Sequence, residues 1–159
     1  MEDLFKPGVD PPRGTAQARC DEKGRLKIPV AFQRFLEAIE EKDVFCTTLD
    51  KRTARIYPIS VWKRNQKTMH ELKANTRAAA DVALIANHYG ADSQLDGQGR
   101  ILMPPLLRRE LGLENAPVWM EYFRGGFTVY SESLYQEKLV TAQDGLEGKV
   151  EILEQGGLL

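Results

Sequence analysis

Apolar and polar residues alternate with the period of a β-strand in two neighbouring stretches near the start of the chain. Small or apolar side chains alternate with polar ones over residues 15–20, and the alternation returns over residues 25–28. Between these stretches, Asp21 can accept backbone hydrogen bonds and Gly24 can adopt the positive φ that closes a tight loop. Pro29 ends the second stretch, because proline cannot donate to a strand ladder. The pattern predicts a β-hairpin.

The alternation assigns a face of the hairpin to each side chain. The apolar face, which we expect to point inward, consists of Ala16, Ala18, Cys20, Leu26 and Ile28. The outward face is polar and basic and consists of Gln17, Arg19, Arg25 and Lys27, with Lys23 at the tip. A two-stranded ribbon of this kind fits the major groove of B-DNA, where arginine can bind guanine and lysine can bind phosphate.

The period of the pattern changes after the hairpin. Residues 30–41 carry apolar side chains at helical spacing, which predicts a short amphipathic helix. Residues 44–48 and 54–58 predict a second pair of strands, turned by residues 49–52. A long helical stretch follows from about 60 to 86. The predicted order is therefore hairpin, helix, strand pair, helix.

The same order of elements occurs twice. Residues 20–29 align with residues 95–104, 75 positions later, and the second strand pairs align with an offset of 73. The second copy predicts a hairpin turn at 96–99, a helix at 105–111, and two strands that turn at 125–126. A unit of about fifty residues is too small to bury an independent core. We therefore expect the copies, within one chain or between chains, to cover each other, and we expect an oligomer.

The composition is typical of a globular protein. The chain has 159 residues, of which 42% are hydrophobic, and its longest apolar stretch, residues 78–86, is short and interrupted by Asp81. The start of the chain is acidic and lacks the apolar region of a signal peptide. Cys20 and Cys46 are too few for a disulfide framework and fit a reducing compartment. We expect a soluble cytoplasmic protein with a mainly β fold that includes helices (α+β).

Charge is distributed unevenly along the chain. Residues 1–80 hold 16 basic and 11 acidic side chains, and residues 81–159 hold 6 and 12, so the halves carry +5 and −6. A basic first half could bind a polyanion. Self-association between oppositely charged halves is the alternative, and composition alone does not choose between them.

The motifs of common enzymes and metal sites are missing from the sequence. It has no Gly-x-Ser-x-Gly elbow and no Walker-type phosphate loop. His70 and His88 have no Cys or His neighbour at a metal-ligand spacing. The Gly97-Gln98-Gly99 segment opens a predicted strand, whereas a phosphate-binding loop would open a helix. We expect no catalytic residues, cofactor, metal or small-molecule substrate.

The two hairpin motifs resemble the MraZ family, bacterial transcriptional regulators built from two SpoVT/AbrB-type hairpin units. The resemblance covers about residues 13–140, and Gly14 matches a family glycine seven positions before the first motif aspartate. It is carried by Asp21-x-x-Gly24-Arg25-Leu26-x-Ile28-Pro29 and by Leu95-Asp96-x-Gln98-Gly99-Arg100-Ile101-x-x-Pro104-x-x-Leu107-Arg108 with Gly112-Leu113. The sequence departs from the family in about ten extra residues at the start, in Pro12 and in Cys20.

The resemblance implies an architecture and a division of the chain. The implied fold is a tandem duplication of swapped-hairpin β-barrel units, each followed by a helix. The units are expected at 14–61 and 90–133, after a flexible extension at 1–12. A connecting helix is expected at 62–89, and a C-terminal helix with a flexible tail at 134–159.

The resemblance also implies a function. Family members assemble into a ring and bind short direct repeats in double-stranded DNA, upstream of the division and cell-wall gene cluster that includes the regulator's own gene. We therefore expect a homo-oligomer associated with the nucleoid, with no membrane partner. The expected DNA-binding residues are Arg25, Lys27, Lys23 and Arg19, and the expected turn-motif residues are Asp21, Gly24, Asp96, Gly99 and Arg100.

Several alternatives stay open at this stage. An ion pair between Asp21 and Arg25 could serve only to shape the turn, and Arg100 fits turn support and DNA contact equally well. Leu102 occupies the second-copy position that matches Lys27, which favours the first copy as the DNA reader and an architectural second copy. The chain could instead be an AbrB-fold, antitoxin-like interaction module, or it could bind polyanions without sequence preference.

Overall fold

A computed structural model describes residue 5 and residues 7–159 of the chain. Eight strands occupy β1 (Thr15–Cys20), β2 (Arg25–Lys27), β3 (Asp43–Thr47), β4 (Ala54–Pro58), β5 (Ala91–Gln94), β6 (Arg100–Leu102), β7 (Ala116–Phe123) and β8 (Gly126–Ser131). Six helices occupy α1 (Val30–Ala38), α2 (Ile59–Glu71), α3 (Thr76–Tyr89), α4 (Pro105–Leu111), α5 (Glu132–Gln143) and α6 (Leu146–Gln155). The predicted mainly β fold with helices is confirmed.

The two copies of the repeat exchange their hairpins within one chain. The strand order is β5-β3-β4-β8-β7-β1-β2-β6, with every neighbouring pair antiparallel. The outermost strands β5 and β6 belong to one hairpin, in which the Asp96 amide donates to the Arg100 carbonyl at 2.9 Å, so the sheet nearly closes into a barrel. The resemblance implies a barrel in each unit, and here the strands of both units form a single sheet. One unit alone is too short to bury both faces of its strands.

The exchange is centred on the pairing of β2 with β6. Leu26 lies opposite Ile101 in the middle of this pair. The Ile28 amide donates to the Gly99 carbonyl at 2.9 Å, and the Met103 amide donates to the Gly24 carbonyl at 2.8 Å. These bonds are equivalent under the 75-residue repeat, so the two hairpins are related by an approximate twofold axis. We call the paired strands β2 and β6, with turns 21–24 and 96–99, the hairpin seam.

The predicted faces of the first hairpin agree with the structure. Cys20, Leu26 and Ile28 are fully buried in the barrel interior, and Ala16 and Ala18 are partly buried against it. Gln17, Arg19 and Lys27 are exposed, and Arg25 is partly exposed. The same interior contains Phe32, whose ring packs edge-on against Phe127 with centroids 4.9 Å apart. The strand period therefore identifies the inward side chains correctly.

The outer face of the barrel is covered by helices on both copies. Helices α2 and α3 pack on β3 and β4, where they bury Phe45 and Tyr57 against Trp62. Helix α5 packs on β7 and β8, where Tyr135 stacks on Trp119 with ring centroids 4.6 Å apart. Each strand pair is thus followed by a helix that carries an aromatic side chain back onto it.

The helical stretch predicted from 60 to 86 is wrong as a single helix. Leu72 leaves the helical conformation, and the chain turns back before α3 begins. An uninterrupted helix of this length would extend about 40 Å, beyond the edge of the strands it covers. By turning back, α3 brings Ala86 to β3, where the Thr47 hydroxyl donates to its carbonyl at 2.6 Å.

The ends of the chain differ from the expected flexible segments. A helix, α6, occupies Leu146–Gln155, where we expected a loosely ordered tail. Most of its residues are Leu, Glu, Lys or Gln, which favour helix. Within the expected extension 1–12, residues 1–4 and 6 lie outside the described residues. Phe5 packs edge-on against Phe35, with ring centroids 5.2 Å apart, and Val9 also contacts the barrel core.

The β7–β8 hairpin turns one residue earlier than the sequence predicts. The turn between β7 and β8 was predicted at 125–126, but it consists of Arg124 and Gly125, both with positive φ. Positive φ at both central positions is the geometry of the tight hairpin turn that matches strand twist.

Over residue 5 and residues 7–159, none of the helices combines the length and the apolar character needed to cross a membrane.

Candidate nucleic-acid interface

The first hairpin turn is organised by one carboxylate. Oδ1 of Asp21 accepts hydrogen bonds from the amides of Lys23 and Arg25, both at 2.9 Å, and its Oδ2 accepts from Nε of Arg25 at 2.9 Å. The backbone hydrogen bond from Arg25 lowers the pKa of Asp21 most strongly, and it outweighs desolvation, which acts in the opposite direction. Gly24 completes the turn with a φ of +85°. The turn is held by the negatively charged form of Asp21.

The second hairpin repeats this arrangement. Oδ1 of Asp96 accepts from the amides of Gln98 at 2.8 Å and Arg100 at 2.9 Å, and Oδ2 lies 3.2 Å from Nε of Arg100. The pKa of Asp96 is lowered chiefly by the backbone hydrogen bond from Arg100. Gly99 has a φ of +74°. Within each turn the predicted residues therefore lie together, and the two turns have equivalent geometry.

Each turn rests on a helix residue of the other copy. A Cβ added to Gly24 would lie 2.7 Å from Nε of Arg108 on α4, and one added to Gly99 would lie 2.6 Å from Cδ of Gln33 on α1. Arg108 donates to the Met103 carbonyl, and Gln33 donates to the Ile28 carbonyl at 2.6 Å. Gln33 and Arg108 thus connect each helix to both hairpins.

Basic side chains are adjacent across the hairpin seam. Lys27 lies directly opposite Arg100, and Arg25 lies opposite Leu102. Nζ of Lys27 donates to the carbonyl of Gln98, at the tip of the second hairpin. Because directly opposite residues share a face of the sheet, the seam presents positive charge from both copies on one exposed strip. Like charges in this arrangement are destabilising.

Asp21 and Asp96 only partly neutralise the two arginines of the strip. Each carboxylate binds the Nε of its arginine, and among the described residues the terminal nitrogens of Arg25 and Arg100 make no hydrogen bond. A guanidinium held at Nε is fixed in orientation and can still donate from both terminal nitrogens. Turn support and anion contact are thus compatible roles for Arg25 and Arg100.

The two remaining predicted contact residues lie in different settings. Arg19 is exposed, but its Nη2 donates to the carbonyl and to Oδ1 of Asn115, at 3.1 and 3.0 Å. Lys23 is exposed at the tip, and among described residues its side chain makes no hydrogen bond or ion pair. The structure therefore leaves Lys23 available for contact and ties Arg19 to the turn before β7.

The cysteines lie inside the barrel. Burial raises the pKa of Cys20 to about 11 and that of Cys46 to about 12, which keeps both thiols protonated. Over the residues that the structure describes, no group of three or more His, Cys, Asp or Glu side chains is arranged to hold a metal ion.

The sequence interpretation missed the contribution of the helices to this surface. The sequence pattern assigns no role to Gln33, and it includes Arg108 only as part of the second motif. The two positions are 75 residues apart, the offset of the hairpin repeat, so the alignment of the two copies contained a signal for both. Asn115, which holds Arg19, was also missed.

The chain is similar to proteins named Transcriptional regulator MraZ from several bacteria. It is 34% identical to the Koribacter versatilis protein over 97 residues, which cover 60% of this chain and 66% of that relative, just under two thirds. It is 30% identical to the Methylobacillus flagellatus protein over 102 residues, 64% of this chain and 69% of the relative. It is 25% identical to the Shewanella oneidensis protein over 139 residues, 86% and 90% of the two chains. No protein-family model matches the chain.

Proposed function

The chain belongs to the MraZ family of transcriptional regulators, and on this premise we propose that it binds operator DNA through the hairpin seam. In this proposal Arg25, Lys23 and Lys27 of the first hairpin enter the major groove, and Arg100 of the second hairpin contacts the adjoining phosphates. Arg19 supports the same surface from the side. The protein regulates transcription by occupying the DNA, and it needs no cofactor.

The placement of Lys27 opposite Arg100 is the observation that carries the proposal. Two cations on neighbouring strands repel each other in the free protein. A phosphate group between them would replace that repulsion with attraction. The repulsion that destabilises the folded protein would therefore make DNA binding more favourable. The two-stranded ribbon also has the width that the major groove admits. The seam therefore fits a nucleic acid duplex better than a neutral partner.

A single seam holds few cations and should bind one DNA repeat weakly, because phosphate contacts supply most of the affinity. We propose that several protomers assemble into a ring and occupy several short direct repeats at once. Linking sites in this way raises the effective concentration and can increase affinity by roughly a hundredfold or more. Exposed apolar side chains on α5 and α6, such as Val140 (69% exposed) and Ile152 (67% exposed), support self-association.

The family suggests where the DNA site lies. We propose that the operator repeats lie upstream of the division and cell-wall gene cluster that contains the protein's own gene, and that the protein is associated with the nucleoid. The experiment is equilibrium binding of the wild type and R25A to that upstream duplex, with a scrambled duplex and a salt series. K149Q, a change of an exposed cation on α6 far along the chain from the seam, is the matched control.

We expect wild type and K149Q to bind the upstream duplex alike and in preference to the scrambled one. R25A should lose that preference while keeping its fold and assembly. Wild-type affinity in R25A would contradict recognition by this arginine. Equal binding of both duplexes by the wild type would instead favour a polyanion binder without sequence preference.

The antitoxin-like interaction module is the second candidate function. The exposed apolar residues of α6 are the observation in its favour, because such a surface also suits a different protein. This candidate predicts a stoichiometric protein that copurifies with the chain and competes with DNA. Recovery of the chain alone as a homo-oligomer would count against it.

A further inference from the structure

A cavity of about 300 Å³ lies on the outer face of the barrel, between β4, the turn that joins β7 to β8, and the helices α2 and α3. Its walls are partly apolar, with Tyr57, Trp62 and Met69 among the lining residues. Two arginines, Arg55 and Arg124, line the same cavity. Apolar walls with a few charged or polar groups are typical of small-molecule sites, and this volume is at the small end of their range.

Arg55 extends from the middle of β4 into a largely uncharged environment, in which the side chain of Tyr57 is its polar neighbour. Its strand neighbours across the sheet are Thr47 and Thr128, both buried and uncharged. The Nε of Arg55 is buried and has no hydrogen-bond partner. Its guanidinium lies over the ring of Phe123, with the central carbon 5.2 Å from the ring centroid. The face of the aromatic ring attracts the guanidinium, but the ring carries no negative charge to balance it.

Arg124 adds a second positive charge beside the same ring. Its guanidinium carbon lies 5.0 Å from the centroid of Phe123, so both arginines contact the same ring. Arg124 also has a φ of +47°, at a turn position where asparagine or glycine is the usual residue. An arginine in this backbone conformation costs stability.

Neither guanidinium has an acidic partner in the part of the chain that the structure describes. The nearby carboxylates are engaged elsewhere. Glu121 accepts from the hydroxyl of Tyr130, and Asp50 accepts from four groups of Thr48, Arg52 and Thr53. Buried or partly buried charges in proteins are normally paired. Arg55, which is partly buried, therefore lacks an acidic partner of its own, and the exposed Arg124 adds a second cation to the lining of the same cavity.

We propose that this cavity binds a small organic acid, with its carboxylate bound by the arginines that line the cavity and its apolar body against Tyr57, Trp62 and Met69. The carboxylate can accept from the terminal nitrogens of either guanidinium. The aromatic and thioether walls suit an aryl or alkyl group, and they would leave the oxygens of an inorganic phosphate or a sugar unsatisfied. Asn65 and Thr68, which also line the cavity, can donate the remaining hydrogen bonds.

The site is separate from the hairpin seam. Phe123 lies at one end of β7, and Ala116, at the other end, pairs with Cys20 next to the turn of the first hairpin. At 3.3 to 3.4 Å per residue, the two ends of this strand are roughly 20 Å apart. The proposal therefore does not rest on DNA binding, and it can fail or succeed independently of it.

Calorimetric titration of the full-length protein tests the proposal. The probes are phenylacetate, indole-3-acetate and octanoate, each beside its primary amide, which has the same shape without the charge. The variants are R55M, which keeps much of the side-chain volume, and R124N, in which asparagine tolerates the positive φ. K63Q, a change of an exposed cation on α2 outside the cavity lining, is the matched control.

We expect at least one of the three acids to bind at one site per chain, and its amide to bind at least about tenfold more weakly. R55M and R124N should each weaken the acid by a similar factor, with the amide unaffected, and K63Q should match the wild type. If R55M fails to fold, R124N at its exposed turn still decides the question.

Three outcomes would overturn the proposal. One is the absence of binding by all three acids at millimolar concentration. Another is equal affinity for an acid and its amide, which would show that the charge of the carboxylate does not contribute to binding. The third is a loss of assembly in R55M and R124N with no acid bound, measured by light scattering, since that would assign the arginines to a contact between protomers.

Discussion

Gly24, in the turn of the first hairpin, lies directly over the guanidinium of Arg108, which belongs to the other copy of the repeat. A Cβ at Gly24 would be 2.7 Å from Nε of Arg108, well inside van der Waals contact. Arg108 has little room to move, because its side chain is 12% exposed and donates to the Met103 carbonyl. The glycine thus permits both the turn and the contact between the copies.

We expect G24A to destabilise the fold by about 1–3 kcal/mol, because the new methyl group meets Arg108 and because alanine disfavours a φ of +85°. Urea unfolding measures the change. G97A is the matched control, since a Cβ at Gly97 meets nothing within 4 Å; it should change stability by less than about 0.5 kcal/mol. Equal stability of the two variants would show that the contact over Arg108 carries no weight.

R100Q should weaken DNA binding although Arg100 belongs to the second hairpin. The side chain lies opposite Lys27 on the seam, so its removal takes one cation from the proposed phosphate-binding strip. The slope of log affinity against log salt concentration should fall by about 0.9 if one phosphate contact is lost. Fluorescence anisotropy across a salt series measures this slope, with K149Q beside it. An unchanged slope would restrict DNA contact to the first hairpin.

Stability should fall in acid through the two turn carboxylates. The pKa values of Asp21 and Asp96 are lowered in the folded protein, chiefly by the backbone hydrogen bonds from Arg25 and Arg100. A lowered pKa means that the stabilisation is present above the unfolded value of about 3.9 and is lost as pH falls through the folded value. Unfolding midpoints measured from neutral pH to below about pH 4 should therefore drop on the acid side.

The unfolding midpoint of the D21N/D96N double variant should fall less steeply in acid. Its amide oxygens still accept the backbone hydrogen bonds but cannot be protonated in this range. D144N, which changes an exposed aspartate outside the hairpins, should keep the wild-type steepness. The same steepness in all three proteins would show that other groups set the acid sensitivity.

Both native cysteines should resist alkylation. Burial raises the pKa of Cys20 to about 11 and that of Cys46 to about 12, and only a thiolate reacts at a useful rate. Iodoacetamide labelling at pH 8, followed by mass spectrometry, should modify them only as fast as the protein unfolds. Q17C, which places a thiol on the exposed face of β1, should label rapidly under the same conditions. Rapid labelling of Cys20 in the native protein would mean that the first hairpin opens on its own.

The sequence contained enough information for the hairpins and their faces. Strict alternation over residues 15–20 and 25–28 placed Cys20 and Leu26 inside, and the Asp and Gly of each turn defined where the strands reverse. These are local properties, since they follow from the strand period and from the backbone preference of single residues. The same reasoning placed Arg25 and Lys27 on the outer face, where the structure has them.

The rest depended on contacts between distant parts of the chain. The role of Gln33 exists only because the second hairpin packs under it, and the pairing of Lys27 with Arg100 exists only because β2 meets β6. The helix break at Leu72 has no glycine or proline to signal it, and it is imposed by the packing of α3 on the barrel. Local pattern cannot supply such information, because the partner residue is unknown.

The exchange of hairpins also sets the order in which the chain can fold. Strand β1 pairs along its whole length with β7, whose residues lie 96 or more positions later in the chain. During synthesis the first copy of the repeat therefore waits, with an exposed apolar strand, until nearly the entire second copy has left the ribosome. Pairings this distant in sequence form slowly, and unpaired strands aggregate in the meantime. The time needed to synthesise the second copy therefore sets how long the first copy remains exposed to aggregation.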